Sequence, residues 1–110
     1  MLSGEDATAL AFMAQGGDGC ISVTANVAPR ACADMHAAWR KGDAAAAMKI
    51  NSRLAPLHDA LFIETSPAPV KYACSLIGRS TAEVRLPLVA ASAPVQEAVR
   101  AAMRSAGVLN

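Results

Sequence analysis

Aromatic residues are nearly missing from this chain, which has one Trp, one Tyr and two Phe among 110 residues. Hydrophobic residues make up 54%, yet 26 of the 110 are Ala, which buries little area per side chain. Such a composition favours helices but gives only a thin core, and it suits a segment that leans on other parts of a larger protein. There is no excess of either charge: ten basic and nine acidic residues leave a net charge of +1. Without a basic run or aromatic-basic interleaving, neither nucleic acid nor a membrane surface is expected as a partner. No apolar run approaches the roughly 20 residues of a membrane span. The opening Met1-Leu2-Ser3-Gly4-Glu5-Asp6 has no charged-then-apolar layout of a signal peptide. Cys20, Cys32 and Cys74 are odd in number and far apart. They signal neither a disulfide framework nor a zinc site, and reduced thiols in a cytoplasmic protein are the expectation.

What is present is an alternation of strand and helix signals, followed by helices alone. Leu2-Ser3-Gly4 resembles the end of a strand whose earlier part is missing. Asp6 is placed to cap the next helix, with Glu5 near its positive end. In that helix Ala7, Leu10, Ala11 and Ala14 share one face, and Gly16-Gly17 ends it. Ile21/Ser22/Val23/Thr24 alternates with the period of a strand, which is predicted over 19–24. From Pro29 a helix is predicted to about Lys41, with Cys32, Met35, His36 and Trp39 on one face and Gly42 just past its end. Asp43 then caps a longer helix carrying Ala47, Ile50, Leu54, Leu57 and Leu61, and Pro56 is expected to bend it rather than end it. Ser66-Pro67-Ala68-Pro69 reads as an extended connector before a helix from Val70 to about Ile77. Residues 79–91 connect onward, with Arg85-Leu86-Pro87-Leu88 expected to pack as an extended segment. A last helix begins near Ser92-Ala93-Pro94, presents Val95, Ala98, Val99 and Ala102, and stops at Gly107.

Residues that could carry chemistry are few. His36 and His58 are isolated, with no nucleophile in a recognisable setting, and read as ordinary helix-face residues. Glu5 and Asp6 are better explained by their place at a helix start than as an acid pair. Gly16-Gly17-Asp18-Gly19 leads into a strand, whereas a phosphate cradle follows one and opens a helix, so it is a turn. Lys71 on a helix surface is expected to be solvated. The informative feature is positional: in a (β/α)₈ barrel, ligands bind at the carboxyl ends of the strands. Here those ends are Ser3-Gly4-Glu5-Asp6 and Thr24-Ala25-Asn26-Val27, small and polar enough for backbone to approach a small ligand.

The run Leu2-Ser3-Gly4-Glu5-Asp6-Ala7, then Gly16-Gly17 with Gly19 and Ile21-Ser22-Val23-Thr24-Ala25-Asn26-Val27, resembles the last part of the dihydrodipicolinate synthase (4-hydroxy-tetrahydrodipicolinate synthase) family. The resemblance continues through Ile50-Asn51, Arg53-Leu54, Pro56-Leu57-His58, Ala60-Leu61-Phe62, Pro69-Val70-Lys71-Tyr72-Ala73 and Arg85-Leu86-Pro87-Leu88, and covers essentially the whole chain. It implies an α/β fold: the end of strand seven, helix seven, strand eight and helix eight of a (β/α)₈ TIM barrel, plus a C-terminal three-helix extension. As an isolated chain this is mostly helical, with residues 1–42 as the partial barrel and 43–110 as the extension. Gly4 and Ile21 match residues that line the family's pyruvate pocket, in contact roles only. Tyr72 stands where the family usually has Trp, Thr65-Ser66 replace its Pro-Asn, and Lys71 matches a structural lysine.

The resemblance implies a lyase of lysine (diaminopimelate) biosynthesis that condenses pyruvate with L-aspartate 4-semialdehyde through a Schiff base, without metal or organic cofactor, commonly as a homotetramer. The family's Schiff-base lysine belongs to strand six, and no residue here matches it. The expectation is therefore a C-terminal fragment, inactive alone, that assigns no catalytic residue. Two other readings stand beside it: a complementing or oligomerisation subunit, or a non-functional remnant. Within the superfamily, an N-acetylneuraminate lyase-like pyruvate aldolase is the alternative.

Overall fold

A computed structural model describes residues 1–110. Five helices, two very short strands and one 3₁₀ turn follow in the order β1 (Leu2–Ser3), α1 (Ala9–Ala14), β2 (Gly19–Cys20), the 3₁₀ turn (Thr24–Asn26), α2 (Pro29–Arg40), α3 (Ala44–Ala60), α4 (Ala68–Leu76) and α5 (Ala93–Ser105). The chain forms two compact units, Met1–Ala55 and Pro56–Asn110, and α3 contributes to both.

In the first unit, β1 and β2 pair in parallel, with Leu2 opposite Gly19 and Ser3 opposite Cys20. Helix α1 joins them, so residues 2–20 are a small βαβ unit. The turn into β2 needs glycine twice: Gly16 has φ of 97°, and a Cβ on Gly17 would stand 2.2 Å from the Phe12 ring. The expected strand over 19–24 is corrected: it ends at Cys20, and Thr24 already belongs to the 3₁₀ turn. Residues 21–24 alternate in sequence, but a carboxylate 17 residues back takes the Val23 N–H, the donor that would have continued the ladder after Ile21.

The face of α1 is also corrected. Ala9, Leu10 and Met13 are buried, while Ala7, Ala11 and Ala14 are exposed. The bulkier Met13 wins over the alanine stripe because it removes more apolar area from water. Leu10, Met13, Met35 and Ala47 form the core of this unit, with Trp39 and Ile50 packed against it. Helix α2 opens on Pro29 and buries Cys32 and Met35, as its periodicity predicts. Asp43 caps α3 by accepting from the Ala46 N–H at 3.0 Å.

In the second unit, α3 runs through Pro56 to Ala60 and buries Leu57 and Ala60 there. Leu61 follows, with no exposed surface. Helix α4 starts at Ala68, so the expected extended connector over 66–69 is shorter than its two prolines suggest. Pro69 occupies the first turn, where a missing N–H costs nothing. Helix α4 packs on α5, which buries Val95, Val99, Ala102 and Met103. Arg100 donates to the Tyr72 hydroxyl at 2.6 Å and lies over its ring. Arg85–Leu88 is not a packed extended segment: Leu88 N–H closes a turn onto Arg85 C=O, and Leu86 is 87% exposed.

Candidate functional site at the strand ends

Gly4 and Ile21 are the first residues beyond the paired ends of β1 and β2. The last ladder bond runs from the Ile21 N–H to the Ser3 C=O at 2.8 Å, so the structure brings the two predicted pocket residues side by side. Gly4 is exposed, and a Cβ there would meet nothing within 4 Å. The Ile21 side chain is 71% exposed. Next to Gly4, the Glu5 N–H donates to Ser3 Oγ at 3.1 Å, and the Thr8 hydroxyl donates to the Glu5 carboxylate.

Asp6 does not cap α1, contrary to the sequence expectation. Thr8 occupies the cap position, and its side chain makes no bond to the first amides of the helix. The Asp6 side chain turns the other way and is 6% exposed. Its carboxylate accepts from the Ser22 hydroxyl, from the Val23 N–H at 2.9 Å and from the Thr24 N–H at 3.1 Å. Ser22 Oγ in turn accepts from the Ala25 N–H at 2.9 Å. These donors offset the cost of burying a carboxylate, and they convert the strand-like sequence after Cys20 into a turn. No local signal marked Asp6 and Ser22 as partners, because they are separated by 16 residues.

Two thiols lie near this network. Burial, then the Asp6 charge, raises the Cys20 thiol above its ordinary value, and the same causes push Cys32 up to about 11. Both are protonated at neutral pH and supply no thiolate nucleophile. His36 is held below its ordinary value by burial and then by Arg40, and its Nδ1 lies 3.1 Å from the Met13 sulfur. In the second unit, His58 is buried and Lys71 is half-buried on α4. No cluster of three or more His, Cys, Asp or Glu side chains suited to a metal ion is present, and no helix is long and apolar enough to cross a membrane.

A parallel βαβ unit with its small-residue loops gathered at the carboxyl ends, followed by helices only, is the architecture of a partial (β/α)₈ barrel carrying a helical extension. Residues 1–106 match the Dihydrodipicolinate synthetase family, and the chain belongs to that family. It is 64% identical over 105 residues to a 4-hydroxy-tetrahydrodipicolinate synthase of Acidiphilium cryptum (strain JF-5), covering 96% of this chain and 35% of that protein. Among solved structures, dihydrodipicolinate synthase from Thermotoga maritima superposes with a TM-score of 0.95 at 40% identity, over 98% of this chain and 37% of that one. A chloride-inhibited dihydrodipicolinate synthase from Acinetobacter baumannii, complexed with pyruvate, gives a TM-score of 0.92 at 40% identity over the same shares. The chain thus spans a little over a third of the length of the proteins it resembles.

Proposed function

We propose that this chain is the closing part of a 4-hydroxy-tetrahydrodipicolinate synthase, and that it contributes a wall of the pyruvate pocket rather than the nucleophile. In that enzyme a lysine amine adds to the pyruvate ketone with loss of water. The imine then loses a methyl proton to become an enamine, which attacks the aldehyde of L-aspartate 4-semialdehyde. Gly4 and Ile21 would face the pyruvate, the first by leaving room and the second by supplying apolar surface. Residues 1–42 are the barrel part in this reading and residues 43–110 the extension; the assembled enzyme is a cytoplasmic homotetramer.

The observation that carries the reading is the shared position of Gly4 and Ile21 at neighbouring carboxyl ends of two parallel strands, beside the likeness to a pyruvate-bound relative. A chimera tests it, in which residues 1–105 replace the matching segment of the Acidiphilium cryptum enzyme. Condensation of pyruvate with the semialdehyde at a rate within about tenfold of the parent supports the proposal, because a displaced pocket wall costs about a hundredfold. A folded chimera without activity refutes it.

A second reading, that the chain docks onto a separately encoded front portion, is favoured by the sheet itself. It has two strands and no more, so each strand keeps an unpaired edge, and such edges take up further strands. Co-expression with the remaining portion of the Acidiphilium cryptum enzyme should then give a joint species on gel filtration. Two species that never co-elute contradict this second reading.

A further inference from the structure

We infer that Asp6 is a positioning residue of the pyruvate pocket, acting by tying down the segment that carries Ile21; the inference rests on the proposed function above. Ile21 lies between two anchors. On its N-terminal side β2 is paired with β1, and the Ile21 N–H itself bonds the Ser3 C=O. On its C-terminal side the next three residues all donate to the Asp6 carboxylate, through the Ser22 hydroxyl and the Val23 and Thr24 amides. Asp6 is itself two residues beyond Gly4. One buried side chain therefore links the loop after β1 to the loop after β2 and sets the spacing of both proposed pocket residues.

The chemistry explains why a carboxylate holds this place. Two successive backbone N–H groups and a hydroxyl converge, and an ionised carboxylate accepts all three with charge-assisted bonds. An apolar side chain would leave buried donors unpaired. Without the tie, the alternating Ile21/Ser22/Val23/Thr24 is free to continue as a strand, and Ile21 loses its fixed exit from the ladder.

The test uses the chimera and compares Asp6→Ala, Asp6→Asn and Ser22→Ala. Loss of folded enzyme lowers the rate at every substrate concentration and moves neither KM, whereas a displaced pocket wall raises the KM of the substrate it touches. Asp6→Ala is expected to raise the pyruvate KM about ten- to hundredfold, with the semialdehyde KM within about twofold. Asp6→Asn keeps an acceptor for the two amides and should restore most of that loss. Ser22→Ala, which leaves both backbone bonds in place, should raise the pyruvate KM about two- to threefold, and it decides the matter if Asp6→Ala does not fold.

Deuterium exchange gives a readout that needs no activity. The Val23 and Thr24 amides should exchange faster in Asp6→Ala than in the unsubstituted chimera, with Leu57–Leu61 unchanged. Unchanged exchange at Val23 and Thr24 overturns the tie itself. Faster exchange with an unmoved pyruvate KM, or with both KM values raised together, overturns the positioning role. An unsubstituted chimera that is folded but inactive refutes the proposed function and this role with it, while the exchange comparison still decides whether the tie exists.

Discussion

Residues 56–110 and residues 1–55 meet their backbone and burial requirements in different ways. In the second unit the regular structure is helical, and a helix satisfies its interior hydrogen bonds within itself. Leu57, Leu61, Val99 and Met103 there have no exposed surface at all. The first unit contains the strands, and a strand's hydrogen bonds lie with its neighbours. Its two-residue strands satisfy one edge each, Leu2 and Ile21 stand exposed, and a buried carboxylate, Asp6, lies in the same unit as the Leu10, Met13, Met35 and Ala47 core. Both units therefore carry an apolar core, and the first adds strand edges whose hydrogen-bonding groups a helix would have satisfied within itself.

The strongest way to break that comparison is to attack the helical core. Leu61→Ala should destabilise the second unit by about 2–5 kcal/mol, the range for a fully buried leucine, read by urea unfolding of the 110-residue chain. A change below about 0.5 kcal/mol, as at an ordinary surface site, would show that this unit has no core of its own.

A smaller effect, confined to alkaline solution, sharpens the account of the first unit. Burial and the nearby Asp6 charge raise Cys32 from 9.0 to about 11. A raised folded value means that the unfolded chain ionises first, so the stabilisation is complete below pH 9 and is lost as pH rises toward about 11. Unfolding monitored over that window should show the wild type losing stability faster than Cys32→Ala. Parallel curves would contradict the burial of that thiol.

The smallest effect is expected at Ile21, the proposed pocket residue. Ile21 is 71% exposed, so Ile21→Ala should change the stability of the chain by no more than about 0.5 kcal/mol, while in the chimera it should raise the pyruvate KM. A large stability loss instead would place Ile21 in the core of this unit.

Much of this was legible before the structure. Pro29 and Pro94 announce helix starts, Gly42 and Gly107 sit just past helix ends, and the apolar stripes of α2 and α5 appear where the spacing puts them, because these signals act within a turn or two of helix. The resemblance carried the partial barrel, and it singled out Gly4 and Ile21, which the structure places at neighbouring strand ends. What escaped was non-local. Asp6 looked like a cap because the rule for caps weighs only the next three residues, yet its partners lie 16 to 18 residues on. The same contact shortened β2, since alternation records which face a side chain would take and not whether the backbone donors remain available. In α1 the alanine stripe had the right period and the wrong phase, because side-chain size decided between two faces that periodicity left nearly equal.

If residues 1–110 supply the proposed pocket wall and not the reacting amine, borohydride reduction in the presence of pyruvate separates the two roles. Reduction should leave the 110-residue chain unlabelled by mass spectrometry. The chimera should gain one reduced pyruvate adduct, on a lysine outside these 110 residues. An adduct on Lys41, Lys49 or Lys71 of the chain alone would contradict the account.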